Sequence, residues 1–182
     1  MGLGDEALEE TIIFDDIEEI FRKIEIDTQG GKLLNAKQLK LLKHQLWEKY
    51  GVRLKLVDKD HTLAQKLARW KEKGTVGSFS PKPPPTMYLL EGNASELTVY
   101  HEMVHLEVWY KKLPKMHIID EEKYVWEEIW KVRHRWTDDE LIASYNYVNK
   151  EVYEFNKQGK KFPYLQNPEM EQIIINKQMG IR

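Results

Sequence analysis

The chain of 182 residues has no cysteine, 28 Lys+Arg against 30 Asp+Glu, and 41% hydrophobic residues. That length suits one compact domain, or one domain with an arm, and six Trp, nine Tyr and five Phe argue against disorder. No apolar run approaches the ~18 residues of a membrane span, the acidic start does not read as a signal peptide, and the lack of cysteine excludes disulfides, iron–sulfur clusters, thiol nucleophiles and Cys-based zinc sites.

The net charge of -2 divides unevenly. Residues 1–30 carry ten acidic and two basic side chains, and the remainder carries 26 basic and 20 acidic. A basic body with an acidic arm is one pattern of nucleic-acid binding. The plainer reading makes the acidic stretch a connector. Within it Ile13, Ile17, Ile20, Phe21 and Ile24 recur at helical spacing. Gln29-Gly30-Gly31 then reads as the helix end and a hinge. This places a boundary near residue 30, with a helical arm over 1–30 and the main domain over 31–182. The alternative is an ordinary first helix of the same domain.

A helix is expected over 36–50, capped by Asn35 with Gln38 and closed by Gly51. Leu39, Leu42 and Leu46 share one face. Val52, Leu54 and Leu56 alternate with Arg53 and Lys55 as a half-buried strand. A helix over 62–73 follows, with Leu63, Leu67 and Trp70 on one face and Gly74 after it. Thr75–Ser80 reads as a short strand, Pro81 to Pro85 as an extended segment, and Thr86–Leu90 as a strand closed by Gly92. From there the chain reads as helical. Asn93 with Glu96 opens a helix to about Lys112, Asp120 caps one to about Arg133, and Thr137 with Glu140 opens a third. Leu141, Tyr145, Val148, Val152 and Phe155 form the stripe of that third helix. After Gly159 the chain reads as loop up to an apolar run at Ile173–Ile175. Strands and helices first, then helices only, make the fold class α+β.

The chemistry concentrates in His101-Glu102-Met103-Val104-His105. Histidines four apart share a helix face, so both imidazoles can point at one ion. Two neutral imidazoles with an open position suit hydrolytic Zn²⁺. Glu102, next to the first His, can take a proton from a water there as general base. A third ligand is needed. The extended motif with a third His is absent, since Val108 and Lys111 stand where it has Gly and His. The gluzincin alternative is a carboxylate on the next helix, where Glu121, Glu122, Glu127 and Glu128 lie. Val125, Ile129 and Val132 mark the core side of that helix, and Glu122 lies one turn before Val125. Glu122 is therefore placed first, with Glu128 and Glu127 behind it. His117 reads as exposed. His134 or Tyr145 are candidates to stabilise an oxyanion.

Several segments together resemble a known family. The run Val76-Gly77-Ser78-Phe79-Ser80-Pro81-Lys82-Pro83-Pro84-Pro85-Thr86-Met87-Tyr88-Leu89-Leu90-Glu91-Gly92 precedes the His101–His105 motif. Glu121-Glu122-Lys123-Tyr124-Val125-Trp126-Glu127-Glu128-Ile129 follows, then Thr137-Asp138-Asp139-Glu140-Leu141 leading to Ala143 and Tyr147. Over about residues 35–157 this is similar to the zincin-like metallopeptidase toxin 4 family of bacterial polymorphic toxins. The resemblance implies a small sheet followed by the active-site helix and a mostly helical C-terminal half. It implies Zn²⁺ held by His101 and His105, Glu102 as catalytic base, and a downstream Glu as third ligand. The Glu-Lys-Tyr-Val match favours Glu122, while the adjacent Glu121 leaves the register open. Such a domain is carried by a larger secreted effector and acts on a protein or peptide substrate in a target cell. A cognate immunity protein is the implied partner, and neither a membrane span nor nucleic acid is expected. The substrate is expected to pair with a sheet edge at Met87, Tyr88, Leu89 and Leu90. The rival readings are a nucleic-acid-targeting domain and a non-catalytic module on the same scaffold.

Overall fold

The computed structural model describes residues 3–27 and 30–181, and of residues 3–12 the backbone alone. The architecture is α+β and mostly helical, with seven α-helices and one three-stranded sheet among the described residues. The chain divides into two compact units, Met1–Leu113 and Pro114–Arg182. The boundary expected near residue 30 falls inside the first unit, and Gln29 lies outside the described residues.

In the first unit, α1 (Leu3–Lys23) packs on α2 (Ala36–Tyr50) and on α4 (Glu96–Tyr110). Ile13, Ile17, Ile20, Phe21 and Ile24 are all buried, the stripe their spacing gives. Each such side chain contributes about 1.5–3 kcal/mol on burial. The Phe21 ring meets Tyr100 of α4 edge-on at 5.9 Å. α1 ends earlier than expected. Glu25 takes the left-handed conformation at φ 62, with Glu25 N–H donating to Arg22 O at 3.1 Å and Ile26 N–H to Phe21 O at 2.9 Å. This is a Schellman closure made without glycine, so Gly30-Gly31 misplaced the end.

α2 matches its expected limits. Asn35 and Gln38 form the reciprocal capping box, and Gly51 closes the helix at φ 65. Strand β1 (Arg53–Leu56) follows. The next helix begins with a 3₁₀ turn, His61–Leu63, capped by Asp60, before α3 (Ala64–Lys73). β2 (Gly77–Ser80) and β3 (Thr86–Leu89) complete a sheet of order β1-β3-β2. β3 runs parallel to β1 and antiparallel to β2. This corrects the expected edge at Met87–Leu90. The main chain of Met87, Tyr88 and Leu89 is already paired on both sides, and Leu90 N–H donates to Val76 O at 3.2 Å. Among the described residues, β1 and β2 are the edge strands of the sheet.

α4 begins at Ser95, not Asn93. The Ser95 hydroxyl accepts from Thr98 N–H at 3.0 Å, while Asn93 ends a 3₁₀ turn. Leu34 N–H to Ala94 O and Glu96 N–H to Lys32 O fasten this start to the segment before α2. Buried residues lie all round α4, from Leu97 and Val99 to Met103, Val104, Leu106 and Val108. A helix apolar all round is an interior one, and here α1 and β2 cover it.

The second unit holds α5 (Ile118–Lys131), α6 (Asp138–Lys157) and α7 (Pro168–Gln178). The cap of α5 is His117, whose ring accepts from Ile119 N–H at 3.1 Å, so Asp120 lies inside the helix. Thr137 and Glu140 form the expected box on α6. Trp126 and Tyr145 meet edge-on at 5.2 Å between α5 and α6. α7 is a helix where loop was expected. Asn167 caps it, Pro168 opens it and Met170 is buried.

Candidate metal centre

His101 and His105 lie one turn apart in the middle of α4, both half-buried. Their Nε2 atoms stand 3.2 Å apart. Two nitrogens bound at ~2.0–2.1 Å to a tetrahedral ion lie about 3.3–3.4 Å from each other. The pair is therefore spaced as two ligands of one ion would be. With no ion bound, the same separation lets one ring donate to the other.

Glu102 is buried between them in sequence, and β2 runs beside it. A Cβ on Gly77 would stand 3.2 Å from both Glu102 Cγ and Oε1, and 2.7 Å from Thr98 Cγ2. Glycine at 77 is thus required by close approach, since any side chain would press on the Glu102 carboxylate. Gly77 belongs to the run carrying the family resemblance, yet no role was read for it. A glycine inside a short strand was the available signal.

Behind the motif lies a network that sequence reasoning missed. Glu107, on the same helix, is fully buried. The Tyr50 hydroxyl of α2 donates to its Oε1, and Lys111 Nζ lies 3.7 Å from its Oε2. Burial pushes the Glu107 carboxyl up, against the opposing pull of Tyr50 and Lys111. Burial, with the Glu107 charge added, also pushes the Tyr50 hydroxyl up, so Tyr50 keeps its proton and donates. Lys111 reaches Asp16 of α1 at 2.6 Å, and Lys49 of α2 reaches it at 3.2 Å. Burial raises the Asp16 carboxyl, but the two lysines together outweigh it and hold it below its ordinary value. One chain of polar contacts thereby ties α1 and α2 to the helix carrying His101, Glu102 and His105.

In the second unit, Glu122 and Glu128 are buried, Glu121 is half-buried and Glu127 is exposed. This is the pattern that the helical spacing of Val125 and Ile129 gives. Glu128 Oε1 accepts from Lys131 Nζ at 2.8 Å. His134 is exposed in a 3₁₀ turn, Arg133–Arg135. Tyr145 is buried and its hydroxyl donates to Leu165 O at 2.8 Å. That hydroxyl serves the segment before α7. The His117 ring lies tilted against Phe162, centroids 4.7 Å apart, while capping α5, which accounts for it without a ligand role.

Compared with known families, residues 16–153 match the model described as metallopeptidase toxin 4. The match begins within α1 and ends within α6. No curated protein and no solved structure matches the chain.

Proposed function

The chain belongs to the metallopeptidase toxin 4 family, and from that premise we propose that it is a zinc-dependent endopeptidase with a zincin-like catalytic centre. The observation that carries the reading is the 3.2 Å spacing of His101 and His105 Nε2, with the Glu102 carboxylate fixed beside β2. Glu122, buried on α5, is the carboxylate we assign as third protein donor beside His101 and His105. Two imidazoles and a carboxylate are the ligands of a hydrolytic Zn²⁺ site. Glu121, Glu127 and Glu128 are the other carboxylates of α5, and the exposure of Glu127 weighs against it.

A bound Zn²⁺ supplies a water acidic enough to lose a proton near neutral pH and a Lewis acid for the scissile carbonyl. The rest falls to the chain. Glu102 takes the proton from the attacking water and returns it to the departing amine. Gly77 leaves room for that carboxylate. An extended substrate pairs antiparallel or parallel with the open edge of β2, the strand that borders Glu102, and not with β3. The family places this activity in a toxin, so we propose delivery within a longer effector and neutralisation by a cognate immunity protein. No described helix is long and apolar enough to cross a membrane.

The test is metal analysis beside hydrolysis of quenched fluorescent peptides. Wild type should hold close to one equivalent of zinc and cleave. Glu102→Gln should keep the zinc and lose cleavage by at least about 100-fold. A wild-type protein that stays free of zinc under non-chelating conditions overturns the reading.

A further inference from the structure

β1 is the second open edge of the sheet, on the side away from β2 and Glu102. A groove of about 760 Å³ lies along it, between the strand and the outer face of α2. Its apolar floor includes Leu39, Val52 and Leu54, all buried. Lys40, Lys43 and Trp47 of α2 line one side, and Arg53 and Lys55 come from the strand. Lys59 also lines it, paired to Glu91 at 3.2 Å, and Asp60 is occupied in capping the turn at Thr62. Lys40, Lys43, Arg53 and Lys55 make no ion pair among the described residues, so the groove keeps a positive excess. Trp47 is 56% exposed there, an aromatic of the type that anchors interfaces.

Among the described residues, no strand pairs with the outer edge of β1. Arg53 N–H donates inward to Pro85 O at 3.0 Å and Val57 N–H to Leu89 O at 2.9 Å. By the alternation of a strand, the Leu54 amide and carbonyl face outward into the groove. We infer that this groove binds an extended acidic segment of a partner protein, added as a fourth strand on β1, at a surface separate from the metal centre. The main chain of the partner meets Leu54. Carboxylates on one face of the added strand meet Arg53 and Lys55, and apolar residues on its other face meet Leu54 and Trp47, rimmed by Lys40 and Lys43. A nucleic acid would satisfy the cations but offers no amide ladder to the Leu54 edge. The inference does not depend on a metal at His101 and His105.

The probe is a labelled peptide of about ten residues, alternating Glu and Val, with blocked ends, titrated against the full chain by fluorescence anisotropy. Binding should weaken with salt. It should fall at least about tenfold in Lys40→Glu/Lys43→Glu, whose two sites are exposed on α2, and in Arg53→Glu. It should also be lost when alternate peptide amides are N-methylated, a control that needs no protein variant. Hydrogen exchange at the Leu54 amide should slow on saturation. Four outcomes overturn the inference: no binding by the parent peptide, equal binding by the N-methylated one, unchanged exchange at Leu54, or tighter binding of an oligonucleotide of equal charge. The last would make the groove a nucleic-acid site.

Discussion

Gly77 of β2 and Glu102 of α4 touch so closely that a single added methyl would stand 3.2 Å from the Glu102 carboxylate oxygen. The same methyl would stand 2.7 Å from Thr98 Cγ2. Gly77→Ala therefore carries two separable penalties. The clash with Thr98 should lower stability by about 1–3 kcal/mol. The push on Glu102 should lower kcat by roughly 10–100-fold, since a general base displaced by about 1 Å loses its line to the water. Adding Thr98→Ser removes the clashing methyl and retains the hydroxyl that meets Ser95 at 2.9 Å. The double variant should keep zinc and regain melting temperature but not activity. If activity returns with stability, Gly77 matters for folding alone.

Asp16 links α1 to the active-site helix through Lys111, and the sign of its effect is fixed by its depressed pKa. Such a group stabilises the fold above its unfolded pKa, and that contribution disappears as pH falls through the lower folded value. The Asp16 side chain is only 27% exposed, and two lysines share it. Wild type should exceed Asp16→Asn by about 1 kcal/mol at pH 6–7. The difference should shrink through the acid range and vanish where Asp16 is protonated in both states. Urea titrations of both proteins at a series of pH values measure it. A constant difference down to acid pH would remove the ion pair as its cause.

Tyr145→Phe tests whether the hydroxyl on α6 serves the fold or the chemistry. The hydroxyl donates to Leu165 O and accepts from Asn167 N–H at 3.4 Å, so its loss should cost about 0.5–1.5 kcal/mol and loosen the approach to α7. Peptide hydrolysis by the folded variant should equal wild type. A selective fall in kcat at unchanged stability would assign Tyr145 to the catalytic chemistry.

What could be read from residues alone follows a physical line. α2 and the start of α6 were legible to the residue because Asn35 with Gln38 and Thr137 with Glu140 are local capping devices that need no tertiary partner. The end of α1 was not, because Glu25 adopts the left-handed turn that glycine usually takes. The start of α7 carried a readable signal, Asn167-Pro168, that the loop-like composition around it masked. Strand order is a non-local property. Only the near-continuous burial of Thr86, Met87 and Leu89 reveals β3 as central. The motif at 101–105 was legible because i,i+4 spacing alone puts both rings on one face. Glu107, Asp16 and Lys111 were not, because their network joins residues up to 95 positions apart.

The third ligand is the sharpest remaining prediction. His101 and His105 supply two donors, and the proposed Zn²⁺ site needs one protein carboxylate more. Glu122 is buried on α5 with Val125 one turn beyond it. Glu122→Ala should therefore weaken zinc binding by at least about 100-fold while far-UV circular dichroism stays native. Glu127→Ala, at an exposed position, should keep both metal and activity. Glu128→Ala removes a buried carboxylate that accepts from Lys131, so it should lose stability and keep zinc. Metal content after gel filtration, measured beside unfolding curves, separates these outcomes. Retention of zinc in Glu122→Ala together with its loss in Glu121→Ala would shift the ligand by one residue. Loss in Glu128→Ala alone would move it to the following turns of the helix.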